Sequence, residues 1–395
     1  MSAMSAKPAA SFANALIERH RFEEAFVFWH ARHADDGPGA LATLASLSRQ
    51  AAREHQHQLA AGYHAMHTAL RRGSRWYPGM LAERLLPLYE VAVTSDRLCH
   101  DAAQLEYLHQ LGVLGDAFPP IIARYRRLAA RLQARTQPRP ASHPATMLNP
   151  PLEAYRRPWW EPQRQPQMAP WLEPDRGTRF GSSEHSRHDR RTLLSSDEQD
   201  AIDEVYDRII HLRPTPCVAQ AFSGHALAAV RRAPPGHGIT VIDDFLSSEA
   251  LDELWRFCLQ STIWFSEHGH GRLGATYDNG FNCPLLVQIA QGVFGDGRQL
   301  LELKAGKHPP RLPGESLHGA AGGWQLQIWL TPDTANLDSA SGGMVIRDRD
   351  GRTRHIAYRQ NRAVLFDPRL AHGAASCDFR DDHAGARITM TMLYA

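Results

Sequence analysis

The chain has 395 residues, 43% of them hydrophobic and 22% charged, enough for two or three domains that each bury a core. Lys and Arg number 44 against 42 Asp and Glu, a formal net charge of +2, so no basic surplus points to nucleic acid or an anionic membrane. No stretch approaches the ~20 apolar residues of a membrane span, and Cys99, Cys217, Cys258, Cys283 and Cys377 form no C-x-x-C pair, which argues against a disulfide framework or a thiolate zinc site.

From about Ser11 to Gln133 the apolar residues recur at helical spacing. The runs are Phe12, Leu16 and Ile17; Phe22, Ala25, Phe26 and Trp29; Leu81, Leu85, Leu88 and Tyr89; and Leu105, Leu108 and Leu111. Four to seven packed helices are expected, forming a helical domain over 8–135, with turns such as Asp35-Asp36-Gly37-Pro38-Gly39 between them. Pieces such as Arg21-Phe22-Glu23-Glu24-Ala25 look like tetratricopeptide-type helical pairs, although no repeat of about 34 residues stands out. A connector is expected over 136–194. Ten prolines from Pro138 to Pro174 forbid regular helix, Trp159, Trp160 and Trp171 are candidates to pack on a neighbouring domain or clamp a ligand, and Arg187 to Arg191 reads as a solvated basic cluster. The first 13 residues hold one Lys and no long apolar run, so no signal peptide is expected and the cytoplasm is the simplest address.

Helical pattern resumes at Ser195, a candidate cap with Glu198 at its third position. Over 195–395 the reading becomes α+β. Ile239 to Phe245 reads as a strand and Ser247 to Leu259 as an amphipathic helix capped by Ser247. Short strands follow at Trp324 to Leu330, Gly343 to Arg347, Arg362 to Asp367 and Arg387 to Tyr394, a spacing that indicates a barrel or sandwich.

Polar residues stand at the ends of these strands. His318 precedes the strand at Trp324, His372 follows the strand ending at Asp367, and Arg387 opens the last strand. Two imidazoles from separate strands can share a metal ion, and an Arg one strand further can grip a carboxylate with two parallel hydrogen bonds.

This order resembles the iron(II)/2-oxoglutarate-dependent oxygenase superfamily, in particular bacterial members related to prolyl hydroxylases that carry an N-terminal tetratricopeptide-like region. The resemblance spans about Ile239 to Ala395. It is carried by Val241-Ile242-Asp243-Asp244-Phe245-Leu246, by Asp278 to Leu286, and by Trp329-Leu330-Thr331-Pro332-Asp333 with Ala335-Asn336-Leu337-Asp338 and Ser341-Gly342-Gly343. It implies a C-terminal double-stranded β-helix, or jelly roll, behind the helical N-terminal domain. It also implies that Fe(II) sits on His318 and His372, that Arg387 with Thr389 anchors 2-oxoglutarate, and that O2 is consumed. In such enzymes the metal motif is His-x-Asp, whereas this chain reads His318-Gly319-Ala320.

Two readings compete for Ala320. In halogenases of the superfamily, Gly or Ala at this position leaves a coordination place that chloride or bromide fills, with Gly319 and Ala320 forming the halide pocket. A halide carries the charge of the missing carboxylate, so the ion stays neutralised. Halogenation of an unactivated C–H bond in a peptide, amino acid or carrier-bound substrate, presented by the helical domain, is then expected. In the second reading the domain has lost iron chemistry and serves as a binding module. Where relatives carry a Tyr and an acidic residue before the motif, this chain has Ala305 and Gly306, and where they carry Asn after it, this chain has Gln325 and Gln327. A third reading, hydroxylation with Glu315 or His308 as substitute ligand, ranks below both, since Glu315 falls on the wrong side of His318. Trp324, Gln325, Gln327, His268 and His270 are candidates for the substrate pocket, and the two histidines sit in a Gly-rich turn able to act as a lid.

Overall fold

The computed structural model describes residues 6–33, 37–74, 92–135, 192–202, 205–233, 238–315, 317–320 and 323–395. The stripe of Leu81, Leu85, Leu88 and Tyr89, the tryptophans Trp159, Trp160 and Trp171, and the Arg187–Arg191 cluster lie outside the described residues.

The N-terminal part is helical: α1 (Ala6–Glu18), α2 (Phe22–His33), α3 (Gly37–Arg53), α4 (His57–Arg72), α5 (Ser95–Gln110) and α6 (Phe118–Arg135). The expected turn over Gly37-Pro38-Gly39 is instead the start of α3, a place where the N–H that proline lacks would have no partner in any case. Ile17, Phe26, Leu44 and Met66 meet in one core under α1–α4, and Leu98, Leu108, Tyr125 and Leu132 build a second between α5 and α6. Two short strands, β1 (Ala92–Val93) and β2 (Thr192–Leu193), pair antiparallel beside the second core. After β2 a short helix α7 (Ser196–Asp200) starts with the expected capping box, in which Ser195 N donates to Glu198 Oε2 at 3.1 Å. No helix among the described residues is long and apolar enough to cross a membrane.

The C-terminal part adds helices α8 (Ala226–Arg232), α9 (Ser248–Gln260) and α10 (Pro284–Gly292) to antiparallel sheets. Ser247 caps α9, its Oγ accepting from Ala250 N, and Ala250, Leu254, Phe257 and Cys258 form the buried stripe of that helix. The strands are β3 (Thr240–Ile242), β4 (Ser266–His268), β5 (Arg272–Thr276), β6 (Leu300–Lys307), β7 (Arg311–Leu312), β8 (Trp324–Trp329), β9 (Met344–Arg347), β10 (Thr353–Ile356), β11 (Ala363–Phe366), β12 (Ala371–Ala374), β13 (Cys377–Asp378) and β14 (Ile388–Tyr394). Seven of them form one antiparallel sheet in the order β3-β11-β8-β14-β6-β5-β4, and three form a smaller one, β10-β9-β12. β3 is shorter than its hydrophobic pattern because Asp243 turns to pair with Arg359 and Arg362, and Asp244 takes a left-handed φ of 50°.

Strand alternation divides the large sheet into two working faces. Trp324, Leu326 and Ile328 of β8, Ala363 and Leu365 of β11, and Met390 and Met392 of β14 pack against α9 and α10. Trp329, Val364 and Phe366, of opposite parity, pack on Met344, Ile346 and Ile356 of the small sheet, so the two sheets face each other. Between them, over Gln325, Gln327, Thr389 and Thr391, the same inner face borders a cavity.

The helical part is stitched to the sheet. The Gln104 side chain on α5 donates to Leu259 O at 3.1 Å and Ser261 O at 2.9 Å, and Arg72 on α4 donates to Asn279 at 3.0 Å. Tyr206 Oη reaches Glu267 on β4 at 3.5 Å, and Asp96 at the start of α5 lies against Gly271 in the β4–β5 turn.

Candidate active site

His318 and His372 exchange both backbone hydrogen bonds, His318 N to His372 O at 3.0 Å and His372 N to His318 O at 2.9 Å. Residues paired in this way stand directly opposite one another with side chains on one face, and the two ring centroids are 4.9 Å apart. His372 Nδ1 donates to Leu370 O at 2.8 Å, which fixes the tautomer and leaves the Nε2 lone pair toward the cavity. The Phe366 ring meets the imidazole edge-on at 4.8 Å. Burial lowers the His372 pKa to about 4, so the ring is neutral, the form a metal needs. The Gln325 amide nitrogen lies 3.5 Å from Nε2. Among the described residues no third His, Cys, Asp or Glu joins this pair to complete a metal site.

Arg387 sits on the wall of the same cavity. It precedes β14 and is pinned from both sides: Thr331 Oγ1 donates to Ala386 O and accepts from Ile388 N, each at 2.8 Å. Its side chain is 1% exposed, yet Nε and Nη1 have no hydrogen-bond partner, and among the described residues no carboxylate pairs with it. Burial pulls its pKa below the ordinary guanidinium value, with Cys377, Tyr358 and Glu315 opposing that shift. An unpaired buried cation is penalised by several kcal/mol of lost hydration, about what a bound anion would return. Thr389 Oγ1, two residues on and on the same face, is also buried without a partner. The residues present therefore fit an anionic group reaching inward toward Arg387, and a cation held by the two imidazoles.

The cavity has a volume of about 120 Å³. His318, His372, Arg387, Thr389, Gln325, Gln327 and His268 all border it. Four candidates from the sequence do not. Trp324 is turned by strand alternation to the other face, where it packs near Phe294. His270 is exposed at the tip of the β4–β5 turn, with a left-handed φ of 64°. Gly319 and Ala320 are exposed and are not part of the cavity lining. Gly319 lies against the Arg369 carbonyl, which would stand 2.9 Å from any Cβ placed there, and Ala320 N donates to Pro368 O at 2.7 Å.

Residues the sequence reading underweighted complete the wall. Glu315 borders the cavity but is paired with Arg272 and accepts from Ala374 N, so its carboxylate is already engaged. Lys304 borders it as well, paired with Glu302 at 2.7 Å. His308, weighed in the sequence only as a substitute ligand, borders it too. The period-two row Lys304, Gly306, His308, running along β6 and one residue past its end, was the available signal.

No protein-family model matches the chain, and no curated protein does. Solved structures similar to parts of it include a prolyl hydroxylase from Trichoplax adhaerens in complex with a hypoxia inducible factor peptide, at 14% identity over 44% of this chain and 88% of that one, TM-score 0.32. Others are HygX from Streptomyces hygroscopicus with nickel, 2-oxoglutarate and hygromycin B, at 11% identity over 40% and 83%, TM-score 0.32, and a 2OG-Fe(II) oxygenase family oxidoreductase from Burkholderia pseudomallei, at 11% over 45% and 92%, TM-score 0.31. At these scores the likeness carries no weight for activity; the cavity does.

Proposed function

We propose that the cavity binds Fe(II) through His318 and His372 and 2-oxoglutarate through Arg387 and Thr389, and that the chain oxidatively modifies an unactivated C–H bond, most simply by halogenation. The observation that carries this reading is the buried Arg387 with no carboxylate partner among the described residues, bordering the same cavity as two opposed imidazoles, of which His372 has the tautomer that favours metal binding. Two facing antiparallel sheets with the site between them agree with a double-stranded β-helix.

Bound iron, with 2-oxoglutarate and O2, supplies the oxidising power for attack on carbon. The chain's own contribution is placement. His372, oriented by Leu370 O and Phe366, and His318, held by the paired backbone, offer two ring nitrogens. Arg387 and Thr389 hold the far carboxylate of the cosubstrate. Because no acidic residue among the described ones joins the imidazoles, chloride or bromide can complete the charge that a protein carboxylate supplies elsewhere. The same missing ligand is what favours the second reading, a binding module without iron chemistry, since two neutral imidazoles alone hold a divalent cation loosely. The engaged state of Glu315 weighs against a hydroxylase that recruits it.

The helical part borders the β4–β5 hairpin, whose Ser266, His268 and Arg272 line the cavity, so it is placed to present a peptide, amino acid or carrier-bound substrate. The test is anaerobic addition of Fe(II) and 2-oxoglutarate, with and without chloride, followed by oxygen. A visible charge-transfer band that responds to chloride, then succinate formation, is the expected result. No band and no succinate would leave the binding-module reading standing instead.

A further inference from the structure

Next to Arg387 lies a group that the cosubstrate reading does not use. Ile388 pairs with Lys307 across β14 and β6, which puts His308 beside Arg387, and His308 N donates to Arg387 O at 2.9 Å. One step along the same strands Thr389 pairs with Gly306, and Gly306 with Gly274. The two glycines leave room above the sheet. The His308 Nε2 lies 3.4 Å from where a Gly306 Cβ would stand, and the His268 Nε2 only 2.6 Å from where a Gly274 Cβ would stand. Two imidazoles therefore lean over a glycine floor beside Thr389.

The His308 side chain is buried in the cavity wall, and its Nδ1 has no hydrogen-bond partner. The charged and titratable groups that bear on it are Arg387 just before β14, Arg272 from β5 and His268 from β4. Together with burial they keep the ring neutral. Among the described residues the groups that bear on this imidazole are cations and a second imidazole, and Glu315 in the same cavity wall is already engaged by Arg272; with its N–H on Nδ1 the ring offers one donor. An unpaired donor in such a place is satisfied by an anion's oxygen, as are the orphaned atoms of Arg387 and Thr389 beside it.

We propose that His308 is the third arm of the anion clamp, donating to the distal carboxylate of the bound 2-oxo acid alongside Arg387 and Thr389. This rests on the cosubstrate reading given above and assigns His308 to ligand binding in place of a metal-ligand role. The imidazole occupies the space that Gly306 leaves open on β6. It makes the site selective for a 2-oxo acid with a second carboxylate over one without.

The test is calorimetric binding of 2-oxoglutarate and of 2-oxobutyrate, which has no distal carboxylate, to the full chain with Mn(II) present. Three variants are needed: His308→Leu, which fills the space without a donor; His308→Gln, which restores an N–H; and Arg387→Met. A hydrogen bond to a charged group predicts that His308→Leu weakens 2-oxoglutarate binding by about tenfold or more. His308→Gln should recover most of that loss, and 2-oxobutyrate should bind wild type and both His308 variants alike. If His308→Leu binds 2-oxoglutarate as wild type does while Arg387→Met has lost it, the role of His308 is refuted and the cosubstrate reading survives. If Arg387→Met also binds normally, both fall together.

Discussion

Replacing Arg387 by Met should make the empty protein more stable and the ligand unable to stabilise it further. The guanidinium is buried with two unpartnered nitrogens and no carboxylate among the described residues. A thioether of similar length removes a desolvated charge without opening a large void, and exchanges of buried ions for apolar groups commonly stabilise by about 1–4 kcal/mol. Two charge-assisted hydrogen bonds to a carboxylate contribute about 1.5–3 kcal/mol each, so the variant should bind 2-oxoglutarate at least about a hundredfold more weakly. Ligand at a hundred times the wild-type Kd stabilises the wild type by about 2.7 kcal/mol, but a variant whose Kd has risen a hundredfold gains only about 0.4 kcal/mol. At roughly 2–4 °C per kcal/mol, the wild-type Tm should rise by about 5–10 °C with ligand and that of the variant by less than about 2 °C. Differential scanning calorimetry with Mn(II), with and without 2-oxoglutarate, measures both quantities. The reasoning is refuted if the empty variant melts well below wild type and still shows the full ligand shift, because Arg387 would then be a structural cation satisfied from within the fold.

Three further perturbations probe other parts of the argument. Ala320 holds the place of the motif's carboxylate but is exposed and outside the cavity lining, so the halide reading needs this segment to turn inward; it then expects Ala320→Asp to tighten Fe(II) binding and abolish the chloride response of the charge-transfer band; an unchanged chloride response would remove the halide from the account. Lys307 is buried beside His383 and Trp264, and burial pulls its pKa to about 7, below the usual value near 10.5. Between those two values the unfolded chain binds the extra proton, so stability should rise as pH increases from about 7 toward 10.5, and Lys307→Met should flatten that rise while adding on the order of 4 kcal/mol at neutral pH, read from urea midpoints. Gln104→Met removes two N–H donors that join α5 to the C-terminal end of α9, but Leu259 O keeps His383 and Ser261 O keeps Ile263 N, so a loss of only about 1–2 kcal/mol with an unchanged urea m-value is expected.

Much of the architecture was legible because local signals agreed with the tertiary outcome. Ser195 forms a capping box with Glu198 and Ser247 stands before an apolar stripe, and both helices begin where those residues place them. The strands at Trp324, Ala363 and Ile388 are apolar on at least one face and stand out. β6 did not, for a physical reason: Lys307 occupies a position whose parity matches Leu303 and Ala305, so a charged residue interrupts the apolar row that marks a half-buried strand. β4 and β5 were hidden for the opposite reason. The Gly-rich stretch around His268 and His270 reads as a flexible turn, whereas Gly274 just beyond it is a place in a strand where an imidazole has to pass.

The site shows the same division between order and register. His318, His372 and Arg387 could be named from their order along the chain because each stands at a strand end. What order cannot supply is which neighbours share their face, and that is decided by pairing. Register alone separates Trp324 from Gln325, sending one to the helices and the other to His372, although the alternation Trp-Gln-Leu-Gln-Ile-Trp already carried the distinction in its apolar and amide rows. His308 is the sharper case. In sequence it is ten residues before His318 and invites comparison with the metal ligands; in the sheet it is opposite Arg387, across β6 and β14, among cations. An imidazole there is poorly placed to add to a metal's ligands and well placed to meet an anion. The pairing of two strands, rather than distance along the chain, decides its chemistry.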